Sequence, residues 1–176
     1  MKYFREVTAR TTDPTKKNVV IMGRKTYNSI SPKFRPLKGR VNIVLSRDIG
    51  EYRKEMEEEL AANPTSLQIA GSLEQALQLV DPSKIEEIFI IGGAQLYNSV
   101  MNNASSLVDR ILLTEIRTNK NLEMDTYFDL DTDQWEKRLE SELAMYLGTK
   151  GLDGKFQLSG NTEGEFGYDF TLWSRK

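Results

Sequence analysis

The sequence predicts an α/β fold: a mixed, mostly parallel central sheet flanked by helices. Three observations carry this. Ile88-Phe-Ile-Ile91 is an apolar run without alternation, the pattern of a strand buried on both faces in a parallel sheet. It stops at Gly92-Gly93, and helix-compatible residues follow in Ala94-Gln-Leu-Tyr97. Val19-Val-Ile-Met22 repeats the arrangement upstream, ending in Gly23 before Arg24-Lys-Thr26, Tyr27 and Asn28. Near the C-terminus, Phe166, Tyr168, Phe170 and Leu172 alternate with Gly167, Asp169, Thr171 and Trp173. That is a period-two strand, expected to pair antiparallel and make the sheet mixed.

The strand ends carry the functional signal. A diglycine between a buried strand and a helix lets backbone N–H groups approach a phosphate with no Cβ in the way, and the helix N-terminus adds its positive dipole end. The same residues also suit a tight turn that needs positive φ. At Gly23 two cations and a hydroxyl stand at the turn. A third run, Asn42-Ile-Val-Leu45, ends in Ser46-Arg47. In an open parallel sheet, ligands bind outside the carboxyl ends of the strands. Three such ends with Gly, Ser, Thr, Arg and Lys point to a phosphate-rich cofactor. Arg24, Lys25 and Arg47 read either as phosphate contacts or as ordinary solvated cations.

Composition narrows the chemistry. The 176 residues suit one domain spanning 1–176, and 39% apolar content supports a core. A net charge of −2 gives no sign of a nucleic-acid or membrane partner. Cys is absent, which rules out disulfides and thiolate metal sites. His is absent too, so proton transfer has to rely on carboxylates, Lys, Tyr or water, and no metal site is expected. No apolar run reaches spanning length, and Arg5, Glu6 and Arg10 interrupt any secretory pattern. A cytoplasmic protein is the expectation.

Several ordered motifs resemble the dihydrofolate reductase family, most of all its fungal branch. They are Met22-Gly-Arg-Lys-Thr26, Arg35-Pro-Leu-Lys-Gly-Arg40, Asn42-Ile-Val-Leu-Ser-Arg47, Ile90-Ile-Gly-Gly-Ala-Gln-Leu-Tyr97, Leu113-Thr114, Asp125-Thr-Tyr-Phe128 and Tyr168-Asp-Phe-Thr-Leu172. The Met-Lys-Tyr-Phe-Arg opening and Lys33-Phe-Arg-Pro-Leu37 carry the fungal likeness. The resemblance implies reduction of 7,8-dihydrofolate to tetrahydrofolate with NADPH, by a monomer that antifolates also bind. It implies a cofactor site formed by Gly23, Arg24, Lys25, Thr26 and Ser29, by Leu45, Ser46 and Arg47, and by Ile91, Gly92, Gly93, Ala94, Gln95 and Leu96. It implies that Met1, Phe4, Ile30, Phe34, Leu37 and Tyr97 wall the folate pocket, and that Arg40 pairs with the α-carboxylate of the folate glutamate. From the residues alone, a planar guanidinium on a rigid Pro- and Gly-bearing loop suits a carboxylate. Ile30, Phe34, Leu37 and Tyr97 read equally as core. The resemblance further implies a first strand, a mobile loop and a catalytic carboxylate ahead of the residue matching Met1, and the chain is read as lacking them. Thr114, the family's partner to that carboxylate, is the one supporting catalytic residue, expected to be buried with a partner for its hydroxyl. A non-catalytic chain that binds NADPH or a protein partner is therefore the alternative. A related pyrimidine-type reductase is disfavoured by Arg35–Arg40.

The remaining elements follow from pattern. Met1 to Thr8 reads as a helix with Met1, Phe4 and Val7 or Thr8 on one face. Asp48 to Pro64 reads as an acidic, solvated helix with i,i+4 pairs Arg53–Glu57 and Lys54–Glu58, and its thin stripe of Met56 and Leu60 argues against a binding role. Ser66-Leu-Gln-Ile-Ala70 is a short strand. Ser72 and Gln75 form a capping box for a helix whose Leu73, Ala76, Leu77 and Val80 face the sheet. Asn102 to Ser106 is a turn and Ile111 to Ile116 a strand. Between Asp131 and Gly164 the spacing of Trp135, Leu139, Leu143 and Tyr146 allows a helix, while the resemblance implies a strand and a long loop.

Overall fold

The computed structural model describes residues 1–176. The chain forms two compact units, Met1–Tyr97 and Asn98–Lys176. In the first, α1 (Lys2–Ala9) leads into β1 (Lys17–Gly23), α2 (Arg24–Ser29), β2 (Arg40–Leu45), α3 (Ile49–Glu55), α4 (Glu57–Ala62), β3 (Leu67–Ala70), α5 (Leu73–Gln78) and β4 (Ile85–Ile90), with α6 (Ala94–Asn103) starting at its end. The sheet order is β3-β2-β1-β4 and every pairing is parallel.

Strand alternation divides β1 between two cores. Val20 and Met22 join Tyr27, Val44, Tyr52, Met56, Leu67 and Ile69 in one cluster. Val19 and Ile21 join Ile43, Ala70 and Ala76 in the other. Helix α5 packs on this second side, as its spacing predicts: Leu73, Leu77 and Val80 border that cluster. Its cap is the expected one in part. The Ser72 hydroxyl accepts from Gln75 N at 3.2 Å, but Gln75 Oε1 accepts from Gly71 N rather than closing the box on Ser72.

Three expectations need correction. The run at Ile88–Ile91 implied burial on both faces, yet β4 pairs only with β1 and ends the sheet, leaving Ile88 41% exposed. An edge strand with one ladder neighbour is covered less than a central one. The segment after Asp48 is two helices, not one, and it is not merely solvated: Tyr52 is fully buried and Met56 nearly so. The break at Met56 interrupts the i,i+4 spacing, and Arg53 reaches the Ile69 carbonyl instead of Glu57. Helix α6 runs through Asn103, so the turn expected from Asn102 begins later.

The second unit holds the antiparallel strands, in a sheet of their own. Its elements are β5 (Arg110–Arg117), β6 (Trp135–Lys137), α7 (Glu140–Thr149), β7 (Asn161–Glu163) and β8 (Phe166–Arg175). β8 pairs antiparallel with β5, β6 and β7, as its alternation predicts. Both readings of residues 131–164 hold in part. Trp135 sits in a strand, buried under the Arg175 guanidinium at 4.8 Å from its ring centroid. Leu143 and Leu147 are the buried face of α7, whereas Leu139 is exposed. No helix is long and apolar enough to cross a membrane.

Arg117 and Asp169 tie β5 to β8. The guanidinium donates through two nitrogens, at 2.5 and 3.0 Å, and Gly160 N adds a third bond at 2.7 Å. These bonds lower the Asp169 carboxyl from 3.8 to about 2, the Arg117 hydrogen bond first and Gly160 second. The stabilisation is therefore present above pH 3.8 and is lost as pH falls toward 2. Asp169→Asn should flatten the acid limb of the stability curve in that window and lower the plateau slightly. Urea unfolding followed across pH 2 to 5 checks this, and an unchanged acid limb would contradict the assignment.

Candidate active site

Parallel pairing sets three strand ends side by side. Gly23 at the end of β1 pairs with Leu45 at the end of β2, and Ile21 pairs with Ile90 on the other side. The ladder continues past β4: Ile91 N donates to Ile21 O at 2.9 Å and Gly23 N to Gly92 O at 2.8 Å. This brings the Gly23 turn and the diglycine together. A Cβ on Gly92 would lie 3.0 Å from the Tyr97 ring, and Gly92 has φ +104°. A Cβ on Gly93 would lie 3.3 Å from Thr26 Oγ1. Gly92 thus meets the tight-turn requirement, and both glycines are closely approached by side chains of the chain itself.

The other candidate cofactor residues spread around this point. Thr26 is half-buried, and Lys25 and Arg47 are exposed cations outside any ion pair. The Arg24 guanidinium lies 5.6 Å from the centroid of the Tyr52 ring. Ser29 is turned back into its own helix, donating to Thr26 O at 2.6 Å. Ser46 is buried, with its hydroxyl on Asp48 O and its amide on Ala70 O, so it shapes the end of β2 rather than projecting from it. Leu45 and Leu96 pack on one core cluster and Ile91 on the other. Ala94 is half-buried and Gln95 exposed at the start of α6. Glycines that leave room for a backbone approach, a hydroxyl and three cations form a donor set that fits a phosphate-bearing group.

Arg40 stands at the start of β2 and is 4% exposed. Its Nη1 donates to Thr8 Oγ1 at 2.8 Å and its Nε to Lys38 O at 3.1 Å. Neither partner is a carboxylate. Burial holds its pKa below the usual guanidinium range, and the positive field of Arg5 adds to this. A buried charge without a counter-charge is costly, and an anionic ligand would relieve that cost. The loop leading to Arg40 is fastened by Asn42, which is fully buried. Its side chain accepts from Leu37 N at 2.9 Å and donates to Leu37 O at 3.0 Å. Asn18 does similar work for α1, donating to Thr8 O and Arg10 O.

The candidate pocket wall divides. Ile30 and Leu37 border a core cluster. Phe34 is 67% exposed, Tyr97 is 36% exposed and Met1 is fully exposed. Phe4 is half-buried on α1, but the shared face expected with Met1 does not form, because Met1 precedes the helix and only Val7 and Thr8 are buried. Thr114 is a correction. It lies on the exposed face of β5, so its hydroxyl needs no buried partner. Its neighbour Glu115 turns the other way, to Lys137 Nζ at 2.7 Å. A separate cleft of about 730 Å³ lies in the second unit between Met101, Phe128, Asp131 and Trp135, and contains none of the predicted site residues.

A family model described as dihydrofolate reductase matches residues 1–146. The chain belongs to the dihydrofolate reductase family. Among curated relatives, the dihydrofolate reductase of Candida albicans is 42% identical over 178 residues, covering 100% of this chain and 83% of that protein. That of Pneumocystis carinii is 36% identical, covering 99% and 84%. Among solved structures, Schistosoma mansoni dihydrofolate reductase superposes with a TM-score of 0.72 at 29% identity, covering 100% of this chain and 84% of that one. The two fungal relatives agree with the fungal-type opening, and family membership makes this an oxidoreductase.

Sequence reasoning missed Thr8, Asn18 and Asn42 as supports of the candidate site. Asn18 and Asn42 do carry a signal: each is a lone amide inside or opening an apolar strand run. Gly92→Ala should destabilise the protein by about 2–3 kcal/mol, since it adds strain at positive φ to a ring collision. Gly151→Ala, also at positive φ but with nothing within 4 Å of the added Cβ, should cost about 1 kcal/mol. Chemical denaturation of both variants compares them, and equal losses would mean that Tyr97 does not crowd Gly92.

Proposed function

We propose that this chain reduces 7,8-dihydrofolate to 5,6,7,8-tetrahydrofolate with NADPH. The observation that carries the reading is Arg40, a buried guanidinium with no acid partner on a fastened loop. In the same unit, the glycine-lined strand ends support the cofactor half of the reading. When bound, NADPH supplies the hydride. The chain's own share is binding and orientation. Arg40 would hold the glutamate end of the folate, with Thr8 and the Lys38 carbonyl fixing the plane of the guanidinium. Ile30, Phe34 and Leu37 would line the aminobenzoyl group. Gly23, Thr26, Gly92 and Gly93 would admit the pyrophosphate close to the backbone. Arg24, Lys25 and Arg47 would neutralise phosphate charge, and Arg47 would favour NADPH over NADH by meeting the 2′-phosphate. No carboxylate of the chain is assigned to proton transfer.

A second reading is a chain that binds NADPH or a partner without turnover. One observation favours it: Thr114 lies exposed on β5, away from any supporting role for an acid. NADPH oxidation in the presence of dihydrofolate separates the two readings. Turnover supports the reductase, and NADPH binding without turnover supports the second.

Two substitutions test the residue assignments. Arg40→Leu should weaken folate binding by about 2–4 kcal/mol while leaving NADPH affinity nearly unchanged. Calorimetric titration of both ligands checks it, and equal losses would remove Arg40 from the substrate site. Arg47→Ala should narrow the NADPH-over-NADH ratio of kcat/KM by about tenfold; an unaltered ratio would take Arg47 out of 2′-phosphate recognition.

A further inference from the structure

Glu59 on α4 joins two parts of the proposed site without belonging to either. Tyr27 OH donates to Glu59 Oε1 at 2.5 Å, and Arg35 Nε lies 3.5 Å from the same oxygen. The Arg35 guanidinium also covers the Tyr27 ring, 5.3 Å from its centroid. Tyr27 belongs to α2, next to the Gly23–Thr26 turn. Arg35 belongs to the loop that ends at Arg40. One carboxylate oxygen therefore bridges the cofactor turn and the substrate loop. The Arg35 side chain is only 18% exposed and that of Glu59 23%.

The two bridged groups differ in what else holds them. Tyr27 is fully buried in the core of the sheet, so α2 keeps its place through packing. The loop is irregular apart from a 3-10 turn at Pro32–Phe34, and only Leu37 packs it on the core. Asn42 fastens it at Leu37, and Arg35 is its other anchor. The buried Arg35 Nε makes no hydrogen bond, and the Glu59 carboxylate at 3.5 Å is its counter-charge; removing that charge leaves it with only a ring face beside it. A buried cation without its counter-charge moves toward water and draws its backbone along. Tyr52 braces the same region from α3, with its hydroxyl on Asn28 Oδ1 at 2.8 Å and Arg24 over its ring. Those contacts hold α2, not the loop.

We infer that Glu59 is a positioning residue for the reductase, acting through Arg35 to hold the Ser31–Arg40 loop where Arg40 can meet the substrate carboxylate. The inference rests on the function proposed above. It also gives the acidic 48–62 segment a role: its buried residues Tyr52 and Met56 seat the helices, and Glu59 reaches out from them to the loop.

The test is a double-mutant cycle with an independent structural readout. Glu59→Gln keeps the size of the side chain and an oxygen for Tyr27 but removes the charge. It should raise KM for dihydrofolate and Kd for folate about tenfold, with kcat and Kd for NADPH within about twofold. In an Arg35→Met background, Glu59→Gln should have no further effect, whereas with Arg35 in place Glu59→Asp should lose less than Glu59→Gln. Hydrogen exchange in the free protein should speed up at the Phe34, Leu37 and Gly39 amides and stay constant in β1. Equal weakening of folate and NADPH, or a full Glu59→Gln effect without Arg35, would overturn the inference. Unchanged folate affinity and unchanged exchange would overturn it as well. Should the unmutated chain bind no folate, the proposed function falls and the positioning role with it; faster exchange in Glu59→Gln would then report an anchor of the loop alone.

Discussion

One hydrogen bond organises the candidate site: the Gly23 amide on the Gly92 carbonyl. It extends the β1–β4 ladder beyond the point where side chains could continue it. Residues with a Cβ at Gly92 or Gly93 would meet Tyr97 or Thr26. The bond is possible because parallel pairing puts the carboxyl ends of β1 and β4 at one level, and the β1–β2 register puts Leu45 there as well. Arg24, Lys25, Thr26, Arg47 and the two glycine turns all follow the carboxyl ends of these strands in the chain. The apolar content of the strands serves the same end, since Val19 to Met22 must be buried on both faces for β1 to sit between two neighbours.

Around this frame, charge is placed where the backbone cannot follow. Arg40 is buried on two neutral acceptors, whereas Arg35 faces a carboxylate. The contrast separates two uses of the same residue type five positions apart. A guanidinium already facing an acid gains little from a second anion, so Arg35 suits a structural tie. One that has only a hydroxyl and a carbonyl retains most of its field for a ligand. The buried amides of Asn18 and Asn42 complete the arrangement, as each satisfies several backbone groups that irregular chain would otherwise leave unmatched.

The strand ends were legible because their signal is local: an apolar run, a glycine, then cations. β8 was legible because strict alternation over Phe166 to Leu172 has one structural meaning. What escaped the sequence depends on tertiary position. The run at Ile88 has the pattern of a central strand, and nothing within it tells that β4 ends the sheet. Thr114 is a polar residue in an apolar run whether its face is covered or open. Tyr52 and Met56 are too few to mark a buried stripe, and the break between α3 and α4 shifts their phase. Glu59 is one of several acids on α4, and only folding distinguishes it, by bringing Tyr27 and Arg35 to its carboxylate. The motifs shared with the family include most of the candidate site residues, whereas Tyr52, Met56 and Glu59 lie outside them.

The position of β4 at the end of its sheet bears on how the protein behaves in company. An edge strand is a surface onto which another extended segment can be laid, and the part of β4 that carries Ile88, Phe89 and Ile90 is apolar. Its first half is different: Glu86 and Glu87 place negative charge there, and Glu86 is engaged by the Thr12 and Asp13 amides. The strand is thus of two characters, acidic toward its start and apolar toward its end. Salt screens the charge at the first end and leaves the apolar end as it is.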